Sequence, residues 1–168
     1  MTLKDLYLAQ LDREAALTRK TVERVPAGKN DFKPHQRSMD LGYLSALVGG
    51  MLGWIAFMID RDELDLSEAS ALEFKPKVLN SSAELIASLD KAVAQARKAL
   101  EATTDEHLMT PWAFKMGGVT VQQEPRYRMI ADAVFSHLAH HRGQLTVFLR
   151  LAESKVPALY GPSADERF

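Results

Sequence analysis

The sequence predicts an all-α protein, a four-helix bundle formed as one domain over residues 1–168 with long crossover loops. Three observations predict it. Apolar residues recur at helical spacing in four long segments. Two sizeable polar or irregular stretches separate those segments, as in bundles with crossover connections. Leu41 to Ile59 runs for 19 residues without a charge, an interior helix that the amphipathic segments can cover.

The first helix is predicted over Thr2–Arg24. Thr2 is a suitable N-cap with Asp5 three residues on. Leu3, Leu6, Leu11, Ala15, Leu17 and Val22 supply the apolar spacing, and Pro26-Ala27-Gly28 ends it. Residues 29–37 are a polar connection in which Pro34 disfavours helix at Lys33. Ser38 reads as the N-cap of a second helix reaching Ile59. Its glycines 42, 49, 50 and 53 each cost about 1 kcal/mol against Ala, to be offset by close approach of neighbouring helices. Residues 60–78 read as a long loop with one helical turn near Ser67–Ala71.

A third helix starts near Asn80 or Ser81, where Glu84 completes a capping box, and runs to Thr103. Leu85, Leu89, Val93, Ala96 and Leu100 form its apolar stripe. Residues 104–125 break the pattern with Pro111-Trp112, Gly117-Gly118 and Pro125. Val119-Thr120-Val121 alternates weakly, which predicts a short hairpin or extended lid within 112–124. The fourth helix spans Arg126–Glu153. Its inner arc reads Ile130, Val134, His137, His141, Gln144, Leu145 and Phe148, with His140 at the edge and Arg142 and Thr146 turned away. Arg126 and Arg128 read as a solvated helix start, and Val156–Pro162 as an extended cap.

Composition narrows the function. A net charge of −1 gives no general attraction to nucleic acid or to an anionic membrane. The absence of cysteine excludes disulfides, a thiol nucleophile and a Cys-ligated zinc site, and fits a cytoplasmic location. The N-terminus opens an amphipathic helix and lacks the apolar run of a signal peptide. Leu41–Ile59 is long enough to span a membrane. It has acidic residues on both sides and no basic flank, so a buried core helix is the expected reading. No glycine-rich phosphate loop follows a strand.

Chemistry concentrates at Ser136–Leu145, where three of the five histidines lie within five residues. His137 and His141, four apart, stand on one helix face about 5–6 Å apart at Cβ. That spacing suits two ligands of one metal ion. It equally suits core-edge histidines bonded to neighbouring helices. A metal site for hydrolysis or transfer needs at least three protein ligands and an open position. Gln144 is placed to orient a ring. His35 and His107 lie in connections where surface exposure is the ordinary outcome, with reach toward the mouth of the bundle as the alternative. Trp54 and Trp112 read as packing residues.

The run His137-Leu138-Ala139-His140-His141-Arg142-Gly143-Gln144-Leu145 resembles the DinB-like (DinB/YfiT) family, whose last helix carries His-x3-His-Arg-Gly-Gln-Leu. The resemblance continues through Val147–Leu151, Val156-Pro157 and Tyr160–Ser163. Upstream it takes in Phe32–His35, Ser38-Met39, Leu41-Gly42, Leu44 and Gly53-Trp54. It implies a four-helix bundle that is commonly a homodimer. It also implies a mononuclear nickel or zinc site with two histidines on the last helix and one on the second. Relatives of known activity include thiol-dependent transferases and isomerases.

His137 and His141 match two of those ligands. Counting back seven residues from Trp54 reaches Leu47, where such relatives carry the second-helix histidine. Leu41–Ile59 contains no His, Asp, Glu or Cys to replace it. A divalent metal held by His137 and His141 alone would bind weakly or not at all. Three functions follow as expectations: a divalent-metal-dependent transferase or hydrolase, a homodimeric module that has lost the metal and binds a small molecule, or a structural, stress-related dimer. None calls for nucleic acid or a membrane.

Overall fold

The first helix, α1 (Leu3–Val22), begins where a local hydrogen-bond exchange makes it begin. The Thr2 hydroxyl accepts from the Asp5 N–H at 3.1 Å, and the Asp5 carboxylate accepts from the Thr2 N–H at 3.0 Å, a capping box that satisfies two otherwise orphaned donors. The next two N–H groups, of Leu3 and Lys4, donate to the Asp105 carboxylate at 2.9 and 3.0 Å. The computed structural model describes residues 1–66 and 75–167, so the helical turn expected near Ser67–Ala71 lies outside the described residues.

The second helical segment starts at Asp40, not Ser38. Asp40 Oδ1 accepts from the Tyr43 N–H at 2.7 Å, whereas the Ser38 N–H closes a turn onto the His35 carbonyl. The segment is also not one unbroken helix. It consists of α2 (Leu41–Gly50), a 3-10 turn over Met51–Gly53, and α3 (Trp54–Asp60). The tightening falls among three of the glycines, where helix propensity is weakest.

The expected close approach holds at two of them. A Cβ at Gly49 would stand 3.5 Å from the Leu85 carbonyl oxygen, and one at Gly53 would stand 3.5 Å from Ala92 Cβ. At Gly42 the neighbours are Val78 and Asn30, in connections, and Gly50 meets nothing. Leu41, Leu44, Val48, Met51, Leu52 and Ile55 are each 1% exposed or less. The apolarity that suggested a membrane span is that of a core segment.

Helix α4 (Ser82–Ala102) opens on a second capping box, Ser81 with Glu84. It buries Leu85, Leu89, Ala92, Ala96, Ala99 and Leu100 against α1, α2, the 3-10 turn and α3. Thr104 caps the four-residue α5 (Asp105–Leu108). Strands β2 (Pro111–Met116) and β3 (Val119–Pro125) then form the expected hairpin. Gly117 and Gly118 turn it at φ of 62° and 76°, a backbone region that glycine enters without steric cost.

A third strand, β1 (Glu63–Asp65), pairs parallel with β2, giving a sheet of order β1-β2-β3. The chain is therefore mostly helical but not all-α. Residues 63–65 had read as loop because a three-residue strand carries almost no periodicity of its own. Its partner strand lies 50 residues later, and the Asp65 carboxylate fixes the junction by accepting from the Gly117 and Gly118 N–H groups at 3.0 and 2.6 Å.

The last helical segment is α6 (Arg126–Ile130), a π-helical stretch over Ala131–Ser136, and α7 (His137–Leu151). Arg126 is not solvated. Its side chain is fully buried, donating to the Met58 carbonyl at 2.7 Å, to Thr110 Oγ1 at 2.7 Å and to Asp62 at 2.5 Å. One guanidinium thus ties the end of α3, the approach to β1 and the foot of the hairpin together. Arg128 is exposed, as expected, and pairs with Glu124 one turn earlier.

Candidate functional site

The 3.6-residue repeat brings His137 and His141 onto one face of α7, and their Nε2 atoms stand 2.8 Å apart. His141 is buried and His137 is half-buried, its ring 6.0 Å from that of Trp54. On the other side of His141, Nδ1 lies 2.8 Å from Gln144 Oε1. A carbonyl oxygen only accepts, so His141 Nδ1 carries the proton there and a neutral His141 presents a bare Nε2 toward His137. The Gln144 amide then donates to His140 Nε2 at 3.1 Å. Burial, followed by the neighbouring His137 and His140 rings, holds the His141 pKa below the ordinary histidine value, with the Gln144 bond opposing them.

Both histidines line a cavity of about 480 Å3, within the 300–1,000 Å3 usual for small-molecule sites. Tyr43, Leu47, Trp54, Phe57 and Met58 form the wall from α2 and α3. Leu64, Trp112, Phe114 and Gln122 form it from the sheet, and Ala133, His137 and His141 from the last segment. Met39, Leu66 and Gln122 are exposed and mark the mouth. Leu47, 7% exposed, thus lines the same cavity as the histidine pair.

A larger depression of about 810 Å3 lies on the other side of Leu47, Trp54 and Phe57, against α4. It is open and carries no histidine. Its polar groups, Lys75, Lys77, Lys91, Glu84 and Gln95, form no cluster of candidate ligands.

The remaining predicted groups separate cleanly. His140 is exposed. His35 is exposed, its Nδ1 accepting from the Arg37 N–H. His107 Nε2 lies 2.9 Å from the Ile59 carbonyl at the end of α3. Neither lines the cavity. Gln144 is exposed rather than on the inner arc, yet it does orient His141. Arg142, expected to turn away, is 1% exposed and pairs with Glu14 of α1 at 2.5 Å. It also donates to Thr18 Oγ1 at 2.9 Å and to Tyr160.

Among the described residues no three His, Asp or Glu side chains come together as a metal site. Two imidazole nitrogens and a leucine side chain fall one ligand short of a catalytic zinc-type centre. Trp112, read from the sequence as a packing residue, is part of the core and also borders the cavity. It is 1% exposed, and its Nε1 meets no acceptor among the described residues. Leaving such a donor unsatisfied costs about 1–3 kcal/mol.

Residues 1–167 of the 168 match the DinB family, and the protein belongs to it. Two crystal structures of DinB-like proteins share its fold. One, from Bacillus cereus ATCC 10987, is 21% identical with a TM-score of 0.69, over 92% of this chain and 95% of that one. The other, from Bacillus subtilis, is 18% identical with a TM-score of 0.64, over 89% of this chain and 94% of that one. No curated protein matches.

Proposed function

We propose that this protein is a DinB-type four-helix bundle whose metal site has degenerated and whose cavity binds a small molecule, the chain working as a cytoplasmic homodimer. The carrying observation is Leu47, which lines the same cavity as His137 and His141. Family resemblance puts the third ligand there, and a leucine has no lone pair to give. With the helix apolar throughout, the two histidines bond to each other and to Gln144 instead, which meets the cost of burying them without a metal.

Elemental analysis of tag-free protein purified without added metal tests this. Well under one equivalent of nickel or zinc is expected, and a stoichiometric, tightly held ion would sink the reading. In the complementary gain-of-function test, Leu47→His restores a three-histidine set. Calorimetry should then register metal binding at least about tenfold tighter than in the parent, the scale on which one well-oriented group alters a metal site.

A second reading, a divalent-metal-dependent and thiol-using transferase or hydrolase, draws on the two facing Nε2 atoms and the Gln144 brace. Both features suit ligands held ready for an ion. It requires a third ligand that α2 does not supply.

A further inference from the structure

We infer that the open groove between α2–α3 and α4 is a second binding site, and that it takes a single-chain anionic amphiphile. The apolar chain lies along the groove, and the anionic head sits among Lys75, Lys77 and Lys91. This site is separate from the histidine cavity and does not depend on the small-molecule reading of that cavity.

The floor has room for a chain. The groove, of about 810 Å3, runs beside Ala46, Gly50 and Gly53 on one side and Ala87 and Ser88 on the other. From Ala46 to Phe57 the backbone advances roughly 16 Å at about 1.5 Å per residue, enough for an extended alkyl chain. Gly50 keeps this floor open. Given a Cβ, Gly42, Gly49 and Gly53 would each stand within 3.5 Å of a neighbour, whereas Gly50 meets nothing within 4 Å. Its φ is −100°, so no left-handed backbone calls for glycine. Apart from proline, glycine is the least favourable residue in a helix. Neither packing nor backbone conformation accounts for it here, and close approach of a ligand to the backbone does.

The rim decides the head group. Lys91 of α4, and Lys75 and Lys77 in the connection leading into α4, border the groove. All three are exposed, and none is in an ion pair among the described residues. The connection is anchored, since the Leu79 carbonyl accepts from the Asn30 side-chain amide at 3.1 Å. Glu84 also borders the groove, but its Oε2 is engaged at the start of α4 by the Asn80 and Ser81 N–H groups at 2.7 and 3.1 Å. Unpaired cations beside an apolar floor attract an anion and repel a cation. Lysine is a point charge on a flexible stem, so the rim selects the sign of the head group rather than a planar shape.

Three probes with the same alkyl chain test this on the full chain by titration calorimetry, each kept monomeric: decanoate, decanol and decyltrimethylammonium. Decanoate should bind at least about fivefold tighter than decanol, and the cation most weakly, a preference that shrinks as salt is added. Lys77→Gln with Lys91→Gln, both at exposed positions, should bring the decanoate-to-decanol ratio to about one, with decanol affinity held within about threefold. Gly50→Leu, which fills the floor, should weaken both probes by at least about tenfold.

A second measurement needs no variant. In 15N-labelled parent protein the amide shifts caused by decanoate should fall at Gly50, Ala87, Ser88 and Lys91, which border this groove and not the histidine cavity. Shifts at Phe114, Gln122 and Ala133 instead would put the ligand in the histidine cavity and overturn the inference. Equal affinity for acid and alcohol, a preference that survives loss of both lysines, binding that survives Gly50→Leu, or no binding by any probe overturns it as well.

Discussion

Arg142 sits in the same run as the two site histidines, yet it serves the fold rather than the cavity. Its guanidinium and the Glu14 carboxylate are 1–2% exposed, and Gln10, Thr18 and Tyr160 add further hydrogen bonds to the pair. Removing one partner of a buried pair strands the other charge at a cost of about 3–5 kcal/mol. Arg142→Ala should lower the unfolding free energy by that amount in urea titrations. The double replacement Glu14→Leu with Arg142→Met should recover most of it, because neither charge is then left alone. A double variant as unstable as the single one would contradict the argument. At this scale the sequence was legible where partners are local. Thr2 with Asp5 and Ser81 with Glu84 form capping boxes from residues three apart. Arg142 was misread because the arc of one helix says nothing of a carboxylate on another. Trp112 was legible as a packing residue, and it lies 1% exposed in the core.

Between Ala131 and Ser136 the last helical segment widens to π geometry, directly before His137. A π turn accommodates about one extra residue, so it sets how the histidines of α7 are rotated relative to α6. Inserting one alanine after Ser136, where the π turn already holds its extra residue, would turn His137 by about 100° relative to Arg126. This variant should lose the His137 contribution to the cavity, visible as altered imidazole shifts, even though every lining residue is retained. Two glycines sharpen the same point about local context. Gly143 has open space around it, and Gly143→Ala in the middle of α7 should stabilise by about 1 kcal/mol. At Gly42 a new Cβ would stand 2.9 Å from Val78 Cγ1 and 3.0 Å from Asn30 Cβ, while Asn30 is held by its bonds to the Gly42 N–H and the Leu79 carbonyl. Gly42→Ala should therefore destabilise, by about 1–3 kcal/mol as overpacking does. Chemical denaturation that fails to give opposite signs would refute the assignment. Long periodic elements were readable from residue spacing. Strand β1 and the π stretch were not, since one depends on a distant partner and the other on a single-residue insertion.

Across the whole molecule, the C-terminal tail is fastened by carboxylates. Asp165 accepts from Arg150 at 2.6 Å and from the Val156 N–H at 2.7 Å. Glu166 accepts from Arg24 and from the Ala158 N–H. Those bonds, the arginine's first in each case, hold both acids below their ordinary values of 3.8 and 4.5. An acid whose pKa is depressed on folding stabilises the fold fully above its unfolded value, and that stability is lost as pH falls through the folded value. The tail contacts should thus persist at neutral pH, begin to weaken below about pH 4.5, and vanish only beneath the depressed values. Amide shifts of Val156 and Ala158 followed during acidification would report it, and a transition centred near pH 6.5 would point to the histidines instead. The family assignment and the four long helical segments were visible in the sequence at this scale, because both are spread over nearly the whole chain. The order of synthesis gives the α1 contacts a further meaning. Glu14 emerges 128 residues before the guanidinium that neutralises it and 146 before the tyrosine that caps it. During translation α1 therefore has no lasting place to put that carboxylate. Helix α1 can pack on α4 earlier, but its buried carboxylate is secured only near the end, and a chain released short of Arg142 would carry a charge it has no means to bury.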